Sequence, residues 1–227
     1  MIGKVLDDTG AGTSMMLFEG MNWAIQQGAE VLSMSVGFDF PSAIEHYRNQ
    51  YNVSTAVAVS ASLGAYRSNV RAFDAIMSLA KAMTGLGRKG TVVCAATGNE
   101  SGRPSFEITL AMPAAADDVI AVAAAGKKKD GNLYIGAFSN TMPTVCAPGI
   151  GVTSAWLKEG LKTLNGTSMA TPHVAGVAAL HWEKQRQSNP NVLANVVATS
   201  ILSSCNAGGF VKMDDAADYG AGLIQAP

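Results

Sequence analysis

Two segments of the sequence combine residue types that can act on a carbonyl group. In residues 95–100 (AATGNE) an apolar run ends at a glycine and presents the side-chain amide of Asn99. In residues 165–176 (NGTSMATPHVAG) Ser168 follows a glycine at the predicted start of a helix. A serine at a helix N-terminus lies beside unpaired backbone N–H groups, at the positive end of the helix dipole. If its hydroxyl attacked a carbonyl, its own N–H and the Asn99 amide could both stabilise the oxyanion that forms.

Alternating helices and apolar strands must position these two segments. Short apolar runs, most of them ending at a glycine or proline, predict strands at residues 31–37, 91–96, 119–125 and 144–147. Apolar residues three or four apart predict helices at residues 12–28, 71–86, 167–187 and 192–203. This order predicts an α/β fold, a parallel sheet with helices on both faces. Such sheets place their sites at the carboxyl ends of the strands, where Asn99 stands.

The composition limits the classes of function. A chain of 227 residues, 48% apolar and 15% charged, can form one domain with a sizeable core. Sixteen basic against seventeen acidic residues give a net charge of −1, which predicts no nucleic-acid partner. We also expect no membrane span, because no apolar run approaches about 18 residues. We expect no signal peptide, because the first ten residues carry charges at Lys4, Asp7 and Asp8 and lack an apolar stretch. An odd count of three cysteines favours free, buried thiols.

Residues 166–176 resemble the nucleophile motif of the subtilisin-like serine peptidases, the subtilase family. The pair Gly98-Asn99 resembles that family's oxyanion-hole asparagine, residues 35–37 (SVG) its substrate-binding strand, and residues 219–224 (YGAGLI) the end of its catalytic domain. The resemblance covers nearly the whole chain except about residues 38–69, which look like an insertion. It implies one incomplete domain, residues 1–227, of the subtilisin-like three-layer sandwich with its N-terminal part missing.

The resemblance also implies a reaction and a set of roles. The reaction is acyl transfer from a peptide bond to Ser168 and then hydrolysis, with Asn99 and the Ser168 N–H holding the oxyanion. An extended substrate would pair, as an added strand, with Ser35, Val36 and Gly37. One wall of the pocket for the side chain before the scissile bond would be formed by Ala96, Thr97 and Gly98. Residues 111–113 would approach the base of that pocket, and the small Ala111 suggests room for a large apolar side chain.

The histidine and aspartate that activate the serine in this family have no clear counterpart here. In the family they come from a His-Gly-Thr-His type helix and an Asp-Thr-Gly or Asp-Ser-Gly turn, both before the unit with which this sequence begins. None of His46, His173 and His181 has that context. Two interpretations of Asp8 stay open. It is the triad aspartate with the histidine block deleted, or, in better agreement with the order of elements, residues 7–12 are a glycine-rich loop after a later strand of the family.

The chain therefore resembles the C-terminal two-thirds of a catalytic domain, and we expect it to turn over little or no substrate alone. It is a fragment of a longer precursor, one chain of a two-part peptidase, or a non-catalytic relative that binds extended peptides. The implied partners are an extended polypeptide and the missing N-terminal segment or a second chain. Secretion is implied only if the chain is cut from a longer precursor. The chemistry needs no cofactor or metal, and the sequence gives no support for the structural calcium common in the family.

Overall fold

The structure is a computed structural model that describes residues 1–157, 160–211 and 214–227. Within these ranges the main sheet contains five strands: β1 (Val31–Met34), β2 (Val92–Ala96), β3 (Val119–Lys127), β4 (Leu133–Ile135) and β5 (Val145–Pro148). Strands β1, β2, β3 and β5 are parallel, in the spatial order β1-β2-β3-β5. Strand β4 returns antiparallel against the end of β3. A separate antiparallel hairpin joins β6 (Val152–Ala155) to β7 (Leu161–Leu164).

Helices cover both faces of this sheet, which confirms the predicted three-layer α/β architecture. The α-helices are α1 (Ser14–Gln26), α2 (Phe40–Tyr51), α3 (Thr55–Ala82), α4 (Thr167–Ser188), α5 (Ala194–Ser204) and the short α6 (Ala216–Tyr219). A 3₁₀ turn, Met83–Leu86, extends α3. Among the residues described, no helix combines the length and the apolar character that a bilayer crossing needs.

The alternation of side chains along β2 shows how the two faces are filled. Val93 and Ala95 pack in the cluster that contains Phe73 of α3, on one side of the sheet. Val92 and Cys94 pack on the other side, in the cluster formed with α4 and α5. Successive residues of a strand point to opposite faces, so a strand covered on both sides must be apolar throughout. This explains why the central strands appear in the sequence as unbroken apolar runs.

Some boundaries differ from the sequence prediction. Strand β1 ends at Met34 instead of residue 37, and the helix predicted from residue 71 begins at Thr55. The Ser54 side chain caps that helix by accepting a hydrogen bond from the Val57 N–H. The first half of α3 buries little apolar surface, so its sequence lacks the periodicity that would reveal a helix. The predicted insertion at residues 38–69 forms α2 and that first half of α3, a helical hairpin.

Candidate active site

The loop after β2 carries Asn99, and a buried asparagine fixes its shape. Asn140 is fully buried, and its side-chain oxygen accepts hydrogen bonds from the Glu100 and Ser101 N–H groups at 3.0 and 3.1 Å. Its amide nitrogen donates to the Thr97 carbonyl at 3.1 Å and to the Glu100 carboxylate at 2.7 Å. The loop is therefore held at both ends by one side chain, because buried polar groups of a network are costly to leave unpaired.

The loop leaves no room for a side chain at Gly98. Its φ is +109°, in the region that favours glycine. A Cβ there would lie 2.3 Å from the Glu100 carboxylate, 2.4 Å from the Asn140 amide nitrogen and 3.2 Å from the Ala111 Cβ. The glycine thus lets the loop lie directly against the Asn140 network and against Ala111, leaving Asn99 exposed at the surface.

The beginning of α4 packs against Asn99. The Asn99 side-chain oxygen accepts a hydrogen bond from the Thr167 N–H at 2.9 Å and one from the Thr167 hydroxyl at 3.1 Å. The Thr167 hydroxyl also lies 3.3 Å from the Gly98 carbonyl oxygen. These contacts fix the amide orientation, since the oxygen faces the helix and the NH₂ group points elsewhere. Asn99 is thereby attached to the residue that directly precedes Ser168.

Two hydrogen-bond donors at the start of α4 have no protein partner within the described ranges. In the first turn of α4 the Thr167 N–H is used by Asn99, and the Met169 and Ala170 N–H groups donate to the Gly166 carbonyl at 3.0 and 3.3 Å. The Ser168 N–H and the Asn99 NH₂ group donate to no atom of this part of the chain. Ser168 is half-buried and Asn99 is exposed, so both donors border solvent. Such a pair can bind a negative oxygen.

The segment after β1 lies against the nucleophile helix. The Ser35 hydroxyl donates to the Ser168 carbonyl at 2.9 Å, which joins the two predicted site residues directly. Ser35 and Gly37 are exposed, and Val36 is half-buried. Ladder pairing with β2 stops at Met34, and no backbone hydrogen bond of the described residues involves Ser35 to Gly37. Their N–H and C=O groups are therefore free to pair with another extended chain.

The remaining predicted site residues lie in the wall between these two segments. Ala96 and Thr97 are buried at the end of β2, and the Thr97 carbonyl accepts a hydrogen bond from the Ala111 N–H at 2.8 Å. Seen from the other side, a Cβ on Gly37 would lie 3.5 Å from the Ala111 Cβ and 3.1 Å from the Met112 carbonyl oxygen. Ala111 thus lies between residues 35–37 and 97–99.

Comparisons with known proteins show the family of this chain. The model of the subtilase family (Peptidase S8) matches residues 1–222. The chain belongs to the subtilase family. Subtilisin DY of Bacillus licheniformis is 34% identical over 223 residues, which cover 97% of this chain and 64% of that protein. M-protease of Shouchella clausii (strain KSM-K16) is 31% identical over 225 residues, 98% of this chain and 46% of that protein.

The structural comparison supports the same fold. Sphericase superposes with a TM-score of 0.65 at 24% identity, covering 99% of this chain and 67% of that one. At this identity the likeness concerns the fold alone. Subtilase sequences thus match this chain almost from end to end, while the chain spans about half to two-thirds of the length of the curated relatives described above.

Within the described ranges, neither the histidines nor Asp8 form a hydrogen bond with the Ser168 hydroxyl. His181 is buried and structural, with its ring nitrogens 3.0 Å from the Ser200 hydroxyl and 3.1 Å from the Gln225 carbonyl oxygen. His173 is exposed, and its Nδ1 lies 2.9 Å from the Met169 carbonyl oxygen of its own helix. His46 is exposed on α2. Asp8 is exposed and forms an ion pair with Lys4. Throughout the described ranges, no histidine is hydrogen bonded to Ser168.

In the described part of the chain, this site has neither a metal-binding cluster nor a reactive thiol beside it. The described residues contain no group of three or more histidine, cysteine or acidic side chains arranged to hold a metal ion. Cys94 is free and buried, and burial raises the pKa of its thiol to about 12. Cys146 is also free and buried, and the pKa of its thiol is raised, first by burial. Both thiols therefore stay protonated at neutral pH and act as small apolar side chains.

Sequence reasoning missed the residues that hold the site in place. Asn140 follows Phe138-Ser139 in a loop far from Asn99 in the chain, and no motif marks it. Tyr66 lies in the predicted insertion, yet its hydroxyl donates to the Leu110 carbonyl at 2.8 Å, next to Ala111. Both contacts join distant parts of the chain. Local spacing therefore gives no sign of them.

Proposed function

We propose that this chain carries the nucleophile and oxyanion-binding half of a subtilisin-like serine endopeptidase. In this proposal the Ser168 hydroxyl attacks the carbonyl carbon of an extended peptide, and the Ser168 N–H and Asn99 NH₂ stabilise the negative oxygen that forms. A base accepts the hydroxyl proton and delivers it to the leaving nitrogen, so collapse of that intermediate expels the amine and leaves an ester on Ser168, which water then hydrolyses. The substrate is a polypeptide aligned along Ser35, Val36 and Gly37.

One observation supports this proposal most strongly. The Asn99 side-chain oxygen accepts a hydrogen bond from the Thr167 N–H at 2.9 Å, so its NH₂ group is left as a donor next to the start of the helix that carries Ser168. A donor fixed before the reaction needs no reorganisation when charge develops, which makes it effective in the transition state. Removing one such donor costs roughly 10²–10³ in rate, a magnitude drawn from subtilisin itself.

The proposal requires a base from outside the described contacts, because a serine hydroxyl is a weak nucleophile on its own. Strand β1 pairs with β2 alone, which leaves its second edge open in the described part of the sheet. A strand added in parallel there would bring its carboxyl end beside Ser35, on the side of the sheet where Ser168 lies. A cavity of about 530 Å³ lies between the start of β1 and α4, lined by Val31, Trp182 and Arg186 among others. We propose that an N-terminal segment or a second chain pairs with β1 and supplies the histidine and aspartate.

A second candidate is a subtilase relative that binds extended peptides without cutting them. The unpaired backbone of residues 35–37 favours it, since strand addition needs only that edge. The two candidates differ in what they require of Ser168, because a binding function does not depend on a nucleophilic hydroxyl. Secretion, as for a peptidase cut from a longer precursor, belongs to the first candidate and is proposed with it. No cofactor takes part in either, and structural calcium forms no part of the proposal.

Labelling with a fluorophosphonate, which phosphonylates activated serines, tests the proposal on the chain as it is. We expect slow labelling of the chain alone and faster labelling when imidazole is added as an external base. The Ser168→Ala variant should stay unlabelled, and Asn99→Ala should label roughly 10²-fold more slowly in the presence of imidazole. The adduct is located by peptide mass spectrometry.

A matched control uses Ser203, a serine of helix α5 that lies outside the site and is exposed. Its replacement by alanine should leave the labelling rate unchanged. Equal labelling of wild type and Ser168→Ala would refute the assignment of the nucleophile. Rapid stoichiometric labelling of Ser168 without imidazole would instead show that the chain holds its own base.

A further inference from the structure

The helical hairpin of α2 and the first half of α3 packs beside the candidate active site. The Tyr66 hydroxyl donates to the Leu110 carbonyl at 2.8 Å, which attaches α3 to the segment that carries Ala111. The rings of Phe40 and Tyr66 meet edge to face with their centroids 5.5 Å apart, which joins α2 to α3. The hairpin therefore contacts the site region directly, through the hydrogen bond from Tyr66 to Leu110.

A cavity of about 140 Å³ lies between this hairpin and the active-site loops. On the site side it is lined by Ala111 and Glu100, the neighbour of Asn99, and on the hairpin side by Phe40, Leu63 and Tyr66. Ala111 also lies against Gly98, whose added Cβ would come within 3.2 Å of the alanine Cβ. The cavity therefore shares Ala111 and Glu100 with the surroundings of Gly98, in the loop that carries Asn99.

We propose that Leu63 and Tyr66 of the hairpin determine the substrate specificity of this chain, by closing the pocket around one apolar side chain of the size of leucine, methionine or phenylalanine. The inference rests on the proposed function, because it assigns the occupant of the pocket beside Ser168. Its new element is the source of the selectivity, which is the helical hairpin and not the loops that follow the strands.

The volume of the cavity and the polarity of its lining support this assignment. An apolar cavity of about 150 Å³ is large enough for a benzene ring, and the volume of this one, about 140 Å³, is close to that. An indole, with a second fused ring, exceeds it. Two polar side chains of the lining are hydrogen bonded to each other, because the Asn140 amide nitrogen donates to the Glu100 carboxylate at 2.7 Å. The hairpin contributes carbon surface and the Tyr66 hydroxyl, which is already engaged with Leu110.

The test uses fluorescein-labelled extended peptides that differ at one position, where they carry Leu, Phe, Trp, Lys or Gly, and measures binding by fluorescence anisotropy. We expect wild type to bind the Leu and Phe peptides at least about tenfold more tightly than the Trp and Lys peptides. Leu63→Trp should fill the pocket, weakening the Leu and Phe peptides about tenfold and leaving the Gly peptide unchanged. Leu63→Ala should reduce the discrimination against Trp.

Val57→Trp is the matched control, because Val57 is on the same helix, 50% exposed, and absent from the cavity lining. It should leave all five affinities unchanged. Leu63 is itself 56% exposed, so its variants are expected to fold, and urea unfolding checks this. Tyr66→Phe, which keeps the ring and removes the bond to Leu110, should loosen the pocket and reduce the Phe-to-Trp ratio.

The possible failures can be told apart. If Leu63→Trp binds every peptide like wild type, or if the Lys peptide binds best, the specificity assignment is overturned while serine labelling still supports the proposed function. If no peptide binds wild type and Ser168 is not labelled with imidazole, the proposed function fails and this inference fails with it.

Discussion

Gly98→Ala tests most sharply whether the loop that presents Asn99 is as closely packed as the structure indicates. A methyl group there would lie 2.3 Å from the Glu100 carboxylate and 2.4 Å from the Asn140 amide nitrogen, so both groups must move. Their mutual hydrogen bond at 2.7 Å would be lost or lengthened. The backbone conformation, with φ +109°, is also unfavourable for alanine.

The magnitude follows from these three effects. A left-handed conformation costs a residue with a Cβ about 1–2 kcal/mol, overpacking typically costs about 1–3 kcal/mol, and one hydrogen bond contributes about 1 kcal/mol. Together they predict that Gly98→Ala lowers the free energy of unfolding by about 3–6 kcal/mol. Urea unfolding followed by circular dichroism measures this loss. Because the displaced loop carries Asn99, imidazole-assisted labelling of Ser168 should slow as well.

Gly64→Ala is the matched control for this experiment. Gly64 lies within α3, has no heavy atom within 4 Å of an added Cβ, and has no unusual φ. Alanine should therefore stabilise the helix by about 0.5–1 kcal/mol. If Gly98→Ala unfolds within about 0.5 kcal/mol of wild type, the packing of the loop against Asn140 and Ala111 is wrong.

Three further changes probe the structure around the site. Asn140→Ala should lower the free energy of unfolding by about 3–5 kcal/mol in urea, because it leaves several buried backbone groups without partners. Arg103→Met should cost about 3–5 kcal/mol in the same assay, because the Asp218 carboxylate, only 8% exposed, loses its cation. Asp214→Asn should change the pH dependence of stability. The pKa of Asp214 is raised above its ordinary value of 3.8, first by burial, so the folded state binds the proton more tightly than the unfolded chain. Wild-type stability should therefore fall relative to the variant as pH rises from 3.8 through the raised value, measured by urea unfolding at several pH values.

The controls for Asn140→Ala and Arg103→Met are substitutions of exposed residues of the same chemical type. Asn49→Ala, at an exposed position of α2, should alter stability by less than about 0.5 kcal/mol. Lys81→Ala, which breaks an ion pair whose side chains are 69% and 54% exposed, should cost less than about 1 kcal/mol. Equal losses of stability from Asn140→Ala and Asn49→Ala, or from Arg103→Met and Lys81→Ala, would contradict the burial on which the predictions for Asn140 and Arg103 depend. An Asp214→Asn curve parallel to that of wild type at all pH values would contradict the raised pKa.

The parts of this fold that local pattern governs could be predicted from the sequence. Strand β2 was evident because Val92 to Ala96 are apolar without interruption, as burial on both faces demands. The Ser168 helix and the Asn99 loop were evident because the residues around each are contiguous. The roles assigned to them from the family resemblance remain predictions, although Thr167 and Ser35 bring those residues together.

The parts that depend on tertiary contacts could not be predicted. Hairpin β6–β7 is largely exposed, so its residues show no apolar alternation. The first half of α3 buries only Ala58 and Ser62, too few to give a helical period. The Asn140 network joins residues up to 43 positions apart, and a polar residue in a loop gives no sign that it will be fully buried. In each case the packing partner, which is distant in the chain, determines the structure.

The most direct measurement of the central claim is an experimental structure of the chain phosphonylated at Ser168. The tetrahedral adduct carries a negative oxygen that resembles the oxyanion of peptide cleavage. We predict that this oxygen lies about 2.7–3.1 Å from both the Ser168 backbone nitrogen and the Asn99 side-chain nitrogen, with the Asn99 oxygen still on Thr167. An adduct oxygen that points into solvent, with neither donor within hydrogen-bonding distance, would contradict the assignment of these residues to a peptide-cutting site.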